Sequence, residues 1–359
     1  MTRYDWHVTA IFDHSQWTKG DLSHARLAGV VRESERTAVV YPAEVAPPGA
    51  SHLDGHLVRN HDEWWLDMLG AGQIGPVRFA DEKDHLAHLP FDRAHCSTLS
   101  SSRVLLLGAG SVGSAMAACL ARAGVGCIAV ADPDRIEMTN LCRHTASTLD
   151  LGRPKANVLV DQVRQFPADI QTEAFAEDIY DWESDRRRDF LHGFDLAIAT
   201  TDRRSVQLRT AHETMQLGVP CLLAGCFEEA RGGEVFVNLP GTTAPCYVCL
   251  RGTDSAQPPR GPIDYSSATN ADEFAAEPGM AAAVWLVACV AAQVAVAVLL
   301  RSHDDSELGQ LIRPDRNYLL IGTAQAKGYF RFAEPFETFF QPLSGKRSDC
   351  ESCGHEERA

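Results

Sequence analysis

The sequence predicts an α/β protein built on a doubly wound, mostly parallel sheet, and three observations carry that prediction. Short, wholly apolar runs of the kind buried in parallel strands occur at Val104–Leu107 and Cys127–Ala131. Between them lies an Ala-rich stretch of helical composition, Ser114–Ala123. The turn from the first strand into that helix is glycine-rich, GAGSVG. Strands and helices alternating at this length imply right-handed crossovers between parallel strands.

The elements follow in chain order. Residues 1–97 read as a separate small α+β module, with strand-like runs at His7–Phe12 and Thr37–Tyr41 and a Pro-, Ala- and Gly-rich loop at Pro42–Ser51. Trp64–Trp65 is read as core packing, with a docking surface for a partner as the other reading. No chemistry-bearing cluster is found in the module, so docking of a partner or substrate is its expected role. The Ser-rich run Ser97–Ser102 reads as a linker into a second domain, residues 98–359. Further strands are expected there at Ile170–Phe175, Asp195–Ala199, Val219–Ala224 and Glu234–Asn238. From Ala281 to Leu300 every residue but Gln293 is apolar, which is long enough for a bilayer span. Ala dominates the segment, so a helix buried in the core or at a subunit interface is expected instead.

Composition narrows the function classes. The chain has 359 residues, 45% apolar and 23% charged, as in ordinary soluble domains. Its net charge of −15 argues against nucleic acid and anionic membranes as partners. Met1–His14 is mixed polar and carries acids, unlike a secretory leader, and a cytoplasmic location is expected.

Gly108, Gly110 and Gly113 form G-x-G-x-x-G between a strand and a helix, in a Rossmann-like arrangement. Glycines permit a tight turn and close backbone approach, and the helix N-terminus favours phosphate. Asp132 follows 22 residues beyond Gly110, at a strand end that can offer a carboxylate to a ribose hydroxyl. This much fits NAD, FAD or ATP. The chain then carries Asp134, Asn140, Arg143 and Lys155, and Asp202 just beyond the Asp195–Ala199 strand. Hydride transfer has little use for such an Arg and Lys. Displacing pyrophosphate from an α-phosphate needs cations and a magnesium-holding carboxylate. Taken singly, Asp134 could cap a turn and Asn140 could bond its own backbone.

Eleven cysteines include two chelating pairs, Cys246-x-x-Cys249 and Cys350-x-x-Cys353. Four thiolates suit a closed, tetrahedral structural zinc site that staples the C-terminal tail to the domain. Unrelated thiol pairs or a redox disulfide are the alternative. His355 and Cys226 are spare soft ligands expected not to bind.

The stretch Arg103–Ala156 resembles the ATP-binding domain of ubiquitin-activating enzymes of the ThiF, MoeB and HesA type, whose bacterial members activate sulfur carriers of molybdopterin and thiamine synthesis. The resemblance runs from about residue 100 to the C-terminus. It implies that Asp132 binds ribose, Arg143 and Lys155 contact phosphates, Asn140 helps hold the nucleotide and Asp202 binds magnesium. It further implies ATP, Mg2+ and structural zinc as cofactors and a homodimer, with Arg93 as a candidate arginine supplied in trans. The expected reaction is adenylation of the C-terminal carboxylate of a small ubiquitin-like protein or a peptide. One departure is His144, where the family usually has Gln.

Members that form a thioester usually carry a cysteine after the first C-x-x-C, yet Leu250–Met280 has none and Phe274–Gly279 offers alanines. Cys226 and, less favourably, Cys289 are the candidates for another thiol, with burial in a structural role as the competing reading. The layout also resembles peptide-adenylating enzymes of microcin synthesis, which need no catalytic thiol. An NAD(P) oxidoreductase and a non-catalytic scaffold are the more distant alternatives.

Overall fold

The computed structural model describes residues 7–11, 26–32, 37–43, 50–60, 63–69, 72–80, 89–166, 170–251, 279–329 and 331–354. The sequence readings at Phe12, in most of the loop at 44–49, at 274–278 and at His355 lie outside these residues. The chain divides into two compact units, Met1–Pro90 with Arg164–Asp169, and Phe91–Val163 with Ile170–Ala359.

In the first unit the described elements are strands: β1 (His7–Ile11), β2 (Leu27–Arg32), β3 (Thr37–Pro42), β4 (Ser51–His52), β5 (Gly55–Asn60), β6 (Glu63–Met68) and β7 (Gly72–Ala80). They form a seven-stranded sheet ordered β4-β2-β3-β1-β7-β6-β5. β3, TAVVYP, alternates half-buried and buried residues, the period-two signature of a sheet with one face on a core. Val8, Ala10, Ala38, Val40, Leu57 and Leu66 make that core. Trp64 packs against it and meets Phe79 edge to face at 6.3 Å, which is the packing role expected for this aromatic. Among the described residues of this unit no helix of the expected α+β module is found.

The second unit opens with helix α1 (Arg93–Ser101) and strand β8 (Arg103–Leu107), followed by α2 (Ser111–Arg122) and β9 (Cys127–Ala131). Next come α3 (Lys155–Val163), β10 (Gln171–Phe175), α4 (Ser184–His192), β11 (Leu196–Ala199) and α5 (Arg204–Gln216). The remaining elements are β12 (Cys221–Cys226), β13 (Gly232–Asn238), α6 (Tyr247–Arg251), α7 (Ala281–Leu299), β14 (Tyr318–Gly322) and β15 (Thr338–Phe340). The sheet order is β10-β9-β8-β11-β12-β13-β14-β15. The strands from β10 to β12 run parallel, and β13 to β15 are added antiparallel. The chain leaves β8 towards β9 on one side and returns to β11 on the other. A crevice therefore opens between β8 and β11 at their C-terminal ends, where doubly wound sheets bind ligands. Leu107 pairs with both Ala131 and Ala199, so β8, β9 and β11 end level with one another.

One expectation is corrected. Ser97–Ser102, read as a linker, forms the second half of α1 and its C-cap. Asp92 caps the helix by accepting from the His95 backbone N–H at 2.9 Å, and His95 and Leu99, one turn apart, are buried. The serine hydroxyls do not break the helix, because they fold back onto its own carbonyls: Ser100 onto Ser97, Ser101 onto Thr98, and Ser102 onto Thr98.

The apolar segment is α7. It packs against α2, β12 and β13, and residues 294–299 are buried all round. This is a helix long and apolar enough to cross a membrane that lies mostly inside the protein, as the scarcity of bulky side chains predicts.

Candidate nucleotide and metal sites

The glycine turn is built by its own sterics. Gly108 adopts φ +101°, and a Cβ there would approach the Thr201 nitrogen to 3.0 Å, so both conformation and space require glycine. At Gly113 a Cβ would stand 2.1 Å from the Gly108 carbonyl oxygen, which is how α2 can begin so close to the strand end. Gly110 differs. It caps α2 without a side-chain bond, and a Cβ there would meet nothing within 4 Å. The fold itself does not demand glycine at 110, and the space beside it is open to an approaching group.

Three side chains strap this turn in place. Asp132, buried at the end of β9, accepts from the Ala109 N–H at 2.6 Å through Oδ2 and from the Asp134 N–H at 2.8 Å through Oδ1. Thr200, just past β11, donates its hydroxyl to the Gly108 carbonyl at 2.7 Å. His144 is buried and its Nδ1 accepts from the Ala146 N–H at 2.9 Å. That assigns the proton to Nε2, which donates to the Ala109 carbonyl at 2.7 Å. The departure from the family's Gln is thus chemically conservative, because either side chain can present an N–H to that carbonyl. Thr200 is the contributor the sequence reading missed, and His144 was noted there only as a departure from the family's Gln: neither sits in the glycine motif, and the fold brings both to it.

Burial holds the His144 pKa below its ordinary value, outweighing the hydrogen bond to Ala109 that pulls the other way. A histidine depressed in the folded state stabilises it above the unfolded pKa of about 6.5 and loses that contribution as pH falls below it. Wild-type thermal stability will therefore decline between pH 7 and pH 5, and His144→Gln will remove part of that decline. Scanning calorimetry across this range checks the expectation; an identical pH dependence in the variant would refute it.

Burial also raises the Asp132 pKa, against the opposing pull of Lys155 and the two backbone N–H groups. A carboxylate raised in this way costs stability as pH rises from its unfolded value through its titration in the folded state. Perturbed carboxylates of this kind concentrate at functional sites.

Lys155, the first residue of α3, donates to Asp134 Oδ2 at 2.9 Å, and its side chain is 12% exposed. Burial alone would lower its pKa, but Asp132, Asp134 and Asp202 outweigh that and raise it. Asp202 is exposed, in the turn between β11 and α5. Asn140 is buried in a short 3-10 turn, where its Oδ1 accepts from the Glu137 N–H at 3.0 Å. Arg143 is half-buried, its carbonyl accepts from Trp285 Nε1 at 2.8 Å, and its guanidinium lies 3.5 Å from Cys142 Sγ. Asp132, Asp134, Lys155 and Asp202 are thus joined electrostatically beside the glycine turn. Arg93 is exposed in the first turn of α1.

Neither spare thiol is set up as a nucleophile. Cys226 is pushed up to about 12 by burial, which the charge of Arg143 only partly offsets. Cys289 is exposed on α7 and hydrogen-bonded to Cys119 on α2.

Cys246, Cys249, Cys350 and Cys353 come together as the sequence spacing implies. Their sulfurs lie within 4.8 Å of one another, with separations of 3.8, 3.6 and 3.4 Å for 246–249, 246–350 and 249–353. Zinc–sulfur bonds of about 2.3 Å at tetrahedral angles place sulfurs roughly 3.8 Å apart. A disulfide needs about 2.05 Å. The donor set and spacing fit zinc, and the Arg347 N–H adds a bond to Cys249 Sγ at 3.5 Å. Val248, Leu208 and Met215 cover the cluster.

A glycine turn strapped to the level ends of three parallel strands, with a lysine and carboxylates beside it, defines a doubly wound α/β protein with a candidate nucleotide site. Residues 83–338 match the ThiF family model, and the chain belongs to the ThiF family. It is 30% identical over 163 residues to the sulfur carrier protein ThiS adenylyltransferase of Escherichia coli, covering 45% of this chain and 62% of that protein. It is 28% identical over 155 residues to the enzyme of the same name from Bacillus subtilis, covering 42% of this chain and 44% of that one. The chain thus spans about half the length of the curated relatives it matches. Among solved structures, E. coli MccB with ATP superposes with a TM-score of 0.52 at 20% identity, over 72% of this chain and 69% of that one.

Proposed function

We propose that this chain uses ATP and magnesium to adenylate the C-terminal carboxylate of a small ubiquitin-like protein. The observation that carries the reading is Lys155, held among Asp132, Asp134 and Asp202 beside the open position at Gly110. A nicotinamide enzyme has little use for that charge cluster, and family membership supports the same choice.

In the proposed reaction a carboxylate oxygen attacks the α-phosphorus of ATP. The bond from that phosphorus to the bridging oxygen breaks, and pyrophosphate leaves with the electron pair. The carboxylate is already a competent nucleophile, so the chain's work is placement and charge neutralisation. Lys155 and Arg143 would contact the phosphates. Asp132 would accept from a ribose hydroxyl on lone pairs its two backbone donors leave unused. Asn140, bonded to its own turn, would act by holding the 137–143 segment against the nucleotide. Asp202, with Asp134, would hold Mg2+, which supplies neutralisation of the leaving pyrophosphate. The four cysteines would hold zinc structurally. A homodimer with Arg93 reaching the partner's site completes the reading, and reduced cysteines suit the cytosol.

A second reading is peptide adenylation of the microcin kind. The buried Cys226 favours it, because the first thiol considered for an acyl group is held protonated. ATP–pyrophosphate exchange with a panel of folded ubiquitin-like proteins ending in glycine and of short free peptides tests both readings. Exchange with the folded proteins alone supports the first, and exchange with peptides supports the second. Exchange with neither overturns the adenylation reading.

A further inference from the structure

We propose a second metal site, separate from the four cysteines, in which His95, His303 and Asp305 bind a divalent transition-metal ion of the zinc class. One ring nitrogen from each histidine and a carboxylate oxygen of Asp305 lie within 4.8 Å of one another. His95 is 8% exposed, and its Nε2 is buried without a hydrogen-bond partner. A buried polar atom left in this state is costly, so its partner has to be sought.

The surroundings of His95 say what kind of partner it wants. Asp92 Oδ1 lies 3.3 Å from His95 Nδ1 on the opposite side of the ring, and also accepts from the His95 backbone N–H at 2.9 Å. A carboxylate facing Nδ1 keeps the ring proton there and leaves a lone pair on Nε2, the tautomer in which imidazole ligates metals. That Nε2 stands 3.6 Å from Asp305 Oδ1, itself an acceptor. Two acceptors facing each other across this gap call for a cation between them. Ligand atoms about 2.0–2.2 Å from a tetrahedral zinc are themselves roughly 3.3–3.6 Å apart, which the His95–Asp305 spacing meets. The third ligand is close by: the His303 ring sits 4.8 Å from the His95 ring, fixed through Nε2 by the Thr98 hydroxyl at 2.7 Å. Asp305, whose side chain is 72% exposed, has room to adjust towards an ion.

Two imidazoles and one carboxylate favour zinc, cobalt, nickel or ferrous iron over magnesium or calcium, and three protein ligands leave open coordination positions. An ion here would clip α1, which carries His95 and Thr98 and runs directly into β8, to the segment that follows α7. It would tie down the element that leads into the glycine turn.

The test uses the full chain without a polyhistidine tag. A weak chelator strips labile metal and leaves cysteine-bound zinc in place, after which Zn2+ is titrated by calorimetry and metal per chain is counted. The wild type is expected to take up one further equivalent, and Co2+ added in its place should show d–d absorption without new thiolate charge-transfer bands. Asp305→Asn and His303→Gln alter accessible positions and are expected to weaken that equivalent by about tenfold or more, with the cysteine-bound zinc unchanged. Uptake of cysteine-bound metal alone by the wild type, or undiminished affinity in both variants, overturns the proposal. The first outcome would mean that His95 and Asp305 share a proton instead.

Discussion

Lys155→Met will lower ATP–pyrophosphate exchange by on the order of 10²–10³-fold, equivalent to about 3–4 kcal/mol of transition-state stabilisation, while leaving the fold intact. The size of the effect follows from the site's charge balance. Lys155 Nζ is the cation bonded to Asp134, and Asp132 and Asp202 act on it as well. Removing it leaves three carboxylates facing a triphosphate, so both the approach of ATP and the charge that develops on leaving pyrophosphate become unfavourable. The fold is spared because the backbone bond from the Lys155 N–H to the Asp134 carbonyl, at 2.9 Å, does not involve the side chain. Lys155→Arg will recover part of the loss, since the charge returns while the compact ammonium geometry does not. Exchange rates and circular dichroism of the three proteins decide the matter. A Lys155→Met protein within threefold of wild type would show that the cluster serves structure alone.

On this reading the Lys155–Asp134 pair is a resting arrangement. Each group neutralises the other until ATP arrives with its metal, when the ammonium can turn to phosphate and the carboxylate to Mg2+. A preformed pair keeps a largely buried ammonium from standing alone in the empty site. It also keeps the carboxylates from repelling the incoming nucleotide.

The parts of this molecule that were legible in its sequence are those whose cause is local. β8 and β9 are buried on both faces, so they read as unbroken apolar runs, and Gly108 and Gly113 are demanded by a turn whose crowding involves residues adjacent in sequence or just across the sheet. The C-x-x-C spacing is itself a property of chelation. What stayed hidden depends on tertiary partners. α1 is rich in Ser, which favours loops when nothing else acts, but the burial of His95 and Leu99 and the cap from Asp92 outweigh that preference. The strand β15 is only Thr338–Phe340, too short to declare a period, and exists because β14 offers it an edge. In the site, charged residues were found by type, but their bonds were not. Asp132 turned out to strap the Ala109 N–H, and Asn140 to bond its own turn, because a side chain's hydrogen bonds are set by what the fold places within about 3 Å of it.

Cys350→Ser will release the zinc proposed for the four cysteines and lower the melting temperature of the second unit by on the order of 10 °C. Cys246 and Cys350 are 104 residues apart, and their sulfurs meet at 3.6 Å. A cross-link closing a loop of about 100 residues restricts the unfolded chain by up to about 4.7 kcal/mol in the loop-entropy model, and a tightly held metal acts as such a cross-link. At about 2–4 °C per kcal/mol for a domain of this size, the shift in melting temperature follows. The loss is not larger because the sheet keeps its own core of Ala197, Leu223, Phe236 and Leu320, a cluster separate from that of the four cysteines. Serine can neither bind zinc as a thiolate does nor pack as an apolar thiol, and Cys350 is 1% exposed, so the tail loses both bond and burial. The same drop will follow treatment of the wild type with a strong chelator at elevated temperature, and added zinc will reverse it. Sensitivity to reductant in place of chelator would instead identify the four cysteines as disulfide partners.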